Sequence, residues 1–185
     1  MENQITTNIY ITGEESDLRN VRIFLAGLPI ADEGHLKLSD VAKELGLEDN
    51  ILCEGYIEGL GIRNWTDCIG FDTETPNQPP RQLLDALCGK FPTLKYYYWA
   101  QIGDENITND RGEKFFQLPK ISVDLFYGDM EDSEEFETPA EALTWINEQT
   151  SQNFRTEKDV EKFFHALRDD GTLNFCRIVH TRFID

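Results

Sequence analysis

The sequence predicts an α+β protein, a ferredoxin-like split βαβ antiparallel sheet with a C-terminal β-α-α-β extension. Three observations carry that prediction. The apolar pattern alternates between period two and period 3.6 in the order β-α-β-β-α-β, which a split βαβ satisfies. A strand-like stretch in the middle of that order, "LKYYYWAQI", has aromatic residues on both faces and reads as a central strand covered on each side. Beyond it, one further strand is followed by two successive helical stripes and a closing strand. The right-handed crossover rule places both core helices on one face of the sheet. The second face, and with it the aromatic run, is left for the C-terminal helix pair. The expected organisation is a core over residues 1–127 with an insertion at about 29–51, and an extension over 128–185 packing on it as one compact domain.

Each element has a local reason. "QITTNIYIT" alternates and is rich in β-branched residues, so residues 4–12 read as a strand ending at Gly13. In "EESDLRNVRIFLAG" Leu18, Val21, Phe24 and Leu25 form one helical stripe. The insertion holds a short helix, "SDVAKELG", with Ser39 as its expected N-cap and Gly46 just past its end. It resembles the first helix of a helix-turn-helix, yet no basic recognition helix follows. "NILCEGYIEGLG" and "DCIGFDTET" are two strands joined by a loop at Asn64-Trp65. Pro79 and Pro80 open the next helix, Leu83, Leu84, Leu87 and Phe91 give it a buried side, and Pro92 stops it.

The aromatic strand 94–101 gives way to a turn region, "GDENITNDRGEKFF", and then to "KISVDLFY", where Ile121, Val123, Leu125 and Tyr127 alternate with polar or exposed positions. An acidic link follows. Thr138-Pro139-Ala140-Glu141 combines N-cap, N1 proline and N3 glutamate, a capping box opening "PAEALTWINEQT". The second helix of the pair, "EKDVEKFFHALRDD", carries Val160, Phe163, Phe164 and Leu167 on one stripe, and "TLNFCRIVHTRF" closes the chain as a strand.

Composition bounds the function. A hydrophobic content of 39%, with 12 Phe, 6 Tyr and 3 Trp, suits an ordinary globular core. With no apolar run of membrane-spanning length and no secretory signal pattern at the N-terminus, a cytoplasmic address and no membrane partner are expected. Cys53, Cys68, Cys88 and Cys176 are widely spaced, make no C-x-x-C, and sit in apolar-patterned segments; they read as reduced thiols. Seventeen basic against 35 acidic residues leave a net charge of −18. That field repels a phosphate backbone, and no basic cluster counters it, so no direct nucleic-acid binding is expected. A basic protein partner fits it. The oligomeric state is open.

The order "FDTETPNQPP", a helix ending "GKFPTLKYYYW", then "GDENITNDRGEKFF" resembles the YubB-like (Api92-like) ferredoxin-fold family of plasmids, phages and other mobile elements. "NIYITG" ahead of a helix is similar to that family's first strand and turn. The resemblance covers about residues 5–125. It implies the ferredoxin-like fold and a bacterial mobile-element setting, and it supplies no catalytic residues. Relatives often carry acids in the strand after the aromatic run, where this chain has Ala100-Gln101.

No catalytic constellation emerges. His35, His165 and His180 lie far apart, and no serine sits in a nucleophile-elbow turn. No cofactor is expected. Two acidic clusters remain as candidates. In the turn region, Asp104, Glu105, Asn106, Asn109 and Asp110 offer oxygens for a small ligand or divalent cation, although turn chemistry accounts for the same residues. Residues 128–142, "GDMEDSEEFETPAEA", hold seven carboxylates and no Lys or Arg. The alternate acids of "DMEDSEEFE" resemble a calcium loop, but its turn glycine is missing.

The expected function is a non-enzymatic accessory role, binding another macromolecule through this acidic surface. Asp129, Glu131, Asp132, Glu134, Glu135 and Glu137 would supply the charge, and Met130 and Phe136 the apolar anchors. A narrower form is an acidic antagonist of a basic enzyme, of the DNA-mimic or immunity kind. The rival class is a small-ligand or divalent-metal-binding domain at the turn.

Overall fold

The computed structural model describes residues 4–30, 35–47, 55–65, 67–169 and 173–184. Among them are five helices and nine strands, mostly antiparallel, so the chain is a mixed α/β protein. It divides into two compact units. The first holds residues 1–102, 107–116 and 183–185; the second holds 103–106 and 117–182. Cys53 and the start of the strand expected from Asn50 lie outside the described residues.

In the first unit the elements are β1 (Gln4–Thr12), α1 (Glu15–Ala26), β2 (Leu36–Lys37), α2 (Leu38–Glu44), β3 (Tyr56–Trp65), β4 (Cys68–Pro76), α3 (Arg81–Lys90) and β5 (Lys95–Ile102). After them comes β6 (Glu105–Thr108), whose last two residues belong here. The strand order is β2-β3-β4-β1-β5-β6. β1 is antiparallel to β4 and to β5, and β3 to β4. The sheet is therefore wider than the four strands of a split βαβ.

Leu18, Val21 and Leu25 of α1 and Leu83, Leu84 and Leu87 of α3 are buried in one core with Ile9, Ile11, Ile69 and Tyr98. Stripes at helical spacing became the buried faces because each helix has a sheet to cover. The segment read as an insertion contributes to the same core: Leu36, Leu38, Val41 and Ala42 are all buried in it.

Two local expectations are corrected here. Ser39 lies inside α2, and Lys37 occupies the N-cap with no side-chain cap bond. Gly46 takes a left-handed φ of 72° just past that helix, as a helix terminator does. Asn64 and Trp65 are paired to Ile69 and Cys68 as the end of β3, and so form no loop. The irregularity sits earlier, between Glu58 and Arg63, where the register shifts. At the entrance to β3, Gly55 has φ 120°, and a Cβ there would collide with the Glu74 carbonyl.

The second unit contains the first two residues of β6, then β7 (Ile121–Tyr127), β8 (Met130–Phe136), α4 (Pro139–Thr150), α5 (Glu157–Asp169) and β9 (Phe175–Phe183), whose final residue belongs to the first unit. Its strands run β9-β7-β8 with β6 beside β9, and β7 is antiparallel to both neighbours. Ile121, Val123 and Leu125 of β7 are buried with Ala142 and Ile146 of α4 and Val160 and Phe164 of α5. The helix pair therefore packs on β7.

Both helices begin as the sequence requires. Thr138 Oγ1 accepts from the Glu141 N–H at 3.3 Å, and the Glu141 carboxylate accepts from the Thr138 N–H at 3.0 Å. α5 repeats the device: Thr156 Oγ1 accepts from the Asp159 N–H, and Asp159 Oδ2 accepts from the N–H groups of Thr156 and Arg155. Hydrogen bonding from the Thr156 side chain, joined by the Arg155 and Thr156 N–H groups, holds the Asp159 carboxyl below its usual range.

Candidate functional site

The acidic run expected to be a link is a strand. Gly128, at φ 65°, turns the chain between β7 and β8, and its N–H donates to Asn174 Oδ1 at 2.8 Å. β7 and β8 then pair without a slip from Tyr127↔Met130 to Ile121↔Phe136. Side chains alternate along a strand, so this register sends Met130, Asp132, Glu134 and Phe136 to the helix-bearing face and Glu131, Ser133 and Glu135 to the opposite face. β8 is the outermost strand of its unit.

The expected partner-binding residues separate into two kinds. Asp129, Glu131, Asp132, Glu134, Glu135 and Glu137 are exposed, and Glu137 meets Lys120 Nζ at 2.6 Å. Met130 and Phe136 are half-buried against the core, and Phe136 lies 5.7 Å from the Trp145 ring. They are core residues rather than free anchors. The reason is positional, since the two apolar ends of β8 fall on the helix-bearing face.

On the helix-free face, the two registers line the side chains up in rows. One row is Val179, Ser122 and Glu135; the next is Arg177, Asp124 and Ser133; the last is Phe175, Phe126 and Glu131. Asp124 Oδ1 accepts from the Ser133 hydroxyl at 2.8 Å. The Phe126 and Phe175 rings stack at 6.0 Å with planes 10° apart. Phe175 is 40% exposed and Leu173, two residues earlier, is 83% exposed. Sequence reading passed over these three apolar residues. The available signal was the alternation of Phe175, Arg177 and Val179, which sets them on the face opposite Cys176 and Ile178.

The second candidate cluster, at the turn, is divided between the two units, with Asp104, Glu105 and Asn106 in the second and Asn109 and Asp110 in the first. Asp104 Oδ1 accepts from Arg177 Nε at 2.9 Å, while Glu105 pairs with Arg182 at 3.1 Å. Asn106 is buried and its amide faces the Thr181 hydroxyl at 3.5 Å. Asn109 bridges β5, accepting from the Tyr98 N–H at 2.8 Å and donating to the Tyr96 carbonyl at 3.0 Å. Asp110 is buried, and its carboxylate accepts from the N–H groups of Lys114, Phe115 and Phe116 at 2.7–3.0 Å. Each of these groups has a partner within its own unit. Among the described residues no three His, Cys, Asp or Glu side chains are grouped as metal ligands would be.

Asp110 has a further consequence. By pinning residues 114–116 it places Phe115 on Tyr10, stacked at 4.6 Å, and on Tyr97 at 5.2 Å. Phe116 meets Trp99 at 6.4 Å. On the other face of β5, Tyr98 is fully buried, and Tyr96 donates its hydroxyl to Asp85 Oδ1 at 2.6 Å. The aromatic strand is indeed covered. Its cover on the Tyr97 and Trp99 side includes Phe115 and Phe116, where the helix pair had been expected.

The second unit also contains a cleft of about 840 Å³ between α5 and β9, lined by Asp104, Glu157, Glu161, Arg168, Arg177 and His180 among others. His180 Nε2 lies 3.0 Å from Glu157 Oε2. Such a pair can orient an imidazole for proton transfer. The thiol lining this cleft, Cys176, is a poor nucleophile: burial, helped by Asp124, pushes it up to about 12. Burial likewise raises Cys88 to about 11, and raises Cys68. No helix among the described residues is long and apolar enough to cross a membrane. Compared with known proteins, the chain matches no family model, no curated protein and no solved structure.

Proposed function

We propose that this protein works as a cytoplasmic accessory factor that binds a basic protein through the acidic surface of its second unit, without chemistry of its own. One observation carries the reading. Glu131, Asp132, Glu134 and Glu135 stand exposed on the outermost strand, two on each face. A sheet edge is normally blunted by charge, and here the charge has a single sign. It repels a second copy of the same strand and attracts a cationic one. An antagonist of a basic enzyme is the narrower form of this reading. For the first unit, the antiparallel order β3-β4-β1-β5 supports a ferredoxin-like split βαβ, widened by β2 and β6. A YubB-like, mobile-element origin belongs to the same proposal and rests on the sequence resemblance alone.

The test compares two fourfold neutralised variants with the wild type in titrations of a cationic peptide. One carries Glu131→Gln, Asp132→Asn, Glu134→Gln and Glu135→Gln; the other carries Glu14→Gln, Glu15→Gln, Glu44→Gln and Glu148→Gln. The expected result is a salt-sensitive affinity that falls at least tenfold in the first variant and changes little in the second. Equal losses in the two would mean that only the overall charge matters, and the reading fails.

The cleft beside His180 supports a second reading, a small polar ligand held between α5 and β9. A thermal-shift series with divalent cations, nucleotides and amino acids tests it, since a ligand that prefers the folded state raises the midpoint. A flat series removes it.

A further inference from the structure

We infer that the row Phe175–Phe126–Glu131, exposed at Phe175 and Glu131 and half-buried at Phe126, is the anchor point for an arginine side chain of that basic partner. The inference rests on the binding reading above and names the contact within it. Phe126 and Phe175 present near-parallel rings on the helix-free face, one strand apart. Glu131 lies directly opposite Phe126 across the β7–β8 pair, and its carboxylate is exposed. Leu173, two residues ahead of Phe175 in the chain, is 83% exposed. Exposed apolar area beside carboxylates suits a partner group that is flat, weakly hydrated and cationic.

Guanidinium has those properties. It stacks on an aromatic face while its edge donates to a carboxylate, which an ammonium does less well. The neighbouring cation of the same face does not fill the position. Arg177, one row away, is held by Asp104 Oδ1 at 2.9 Å and by the Gly103 carbonyl at 2.8 Å. A nucleic-acid base could also stack on the rings, but its phosphates would meet a chain of net charge −18. A second copy would bring its own acids against these.

The experiment is an anisotropy titration of two labelled peptides at low ionic strength, one alternating Arg with Thr and the other alternating Lys with Thr. The wild type is expected to bind the arginine peptide roughly two- to fivefold more tightly, the value of one cation–π contact. In Phe175→Ser, an exposed position whose change leaves the core intact, that preference should vanish while the lysine affinity stays. Glu131→Gln should weaken both peptides. A preference that survives Phe175→Ser, or no preference in the wild type, overturns the inference while leaving the binding reading in place. Failure of both peptides to bind overturns the two together.

Discussion

Strands β5 and β8 are of similar length and nearly opposite composition. β5 is "KYYYWAQI", and β8 is "MEDSEEF". β5 lies between β1 and β6 and has rings packed on both of its faces. β8 has β7 on one side, and its five central residues are exposed. The difference teaches what a strand needs. An inner strand must satisfy two neighbours and two covered faces, so its side chains are constrained everywhere. An edge strand needs only one partner's backbone and a turn that sets the register; its side chains are then free for solvent or for another molecule.

The sharpest way to break the comparison is to truncate each strand. Tyr98→Ala should cost about 3–5 kcal/mol, because a fully buried aromatic leaves a cavity the core cannot close. Denaturant titration reads it as a shift in midpoint with the slope retained.

Asp110→Ala should cost about 3 kcal/mol, since three backbone N–H groups lose a buried acceptor. It should also free Phe115 and Phe116 from the β5 rings. Faster amide exchange at residues 114–116, with β8 unchanged, would localise the effect.

An intermediate effect is expected from alkaline pH. The unfolded thiols lose their protons near the ordinary 9.0, while burial pushes Cys88 up to about 11 and Cys176 up to about 12. The unfolded chain therefore releases protons that the folded one keeps. The thiol contribution to stability is whole below pH 9 and is lost as the pH rises from there through 11 and 12. Denaturation midpoints at pH 8, 9 and 10 should fall in that order, and Cys88→Ser with Cys176→Ser should flatten the decline.

Thr138→Ala removes one half of a capping box and should cost about 1 kcal/mol. Smallest of all, Glu134→Gln on β8 should stay within about 0.5 kcal/mol of the wild type, as exposed substitutions do. A loss of 2 kcal/mol there would mean that β8 is built into the fold as tightly as β5, and the contrast would be lost.

Much of the fold was legible because its causes are local. Pro79-Pro80, Thr138-Pro139 and the stripe Leu18-Val21-Leu25 each act within about a turn of helix, and all three helices lie close to where the pattern put them. The candidate surface was half legible. Its acids are legible as a charge run, but their strand is not, since the five central residues of β8 are all polar and show no apolar alternation. Met130 and Phe136 read as outward anchors in the sequence because no sequence rule says which face of β8 carries a helix. Phe126 and Phe175, 49 positions apart, could be matched only through the β7–β9 register.

The sequence by itself determined where helices start and stop, which residues are apolar enough to be buried, and that the net charge is strongly negative. These follow from interactions over a few residues and from summed charge, which no folding step alters. Only the tertiary structure decided that the acidic run is an edge strand, that Asp110 sets Phe115 and Phe116 on the aromatic ribbon, and that Phe126 and Phe175 share one face of the sheet. Each depends on pairing between distant segments, and a shift of one residue in register would turn every side chain to the other side.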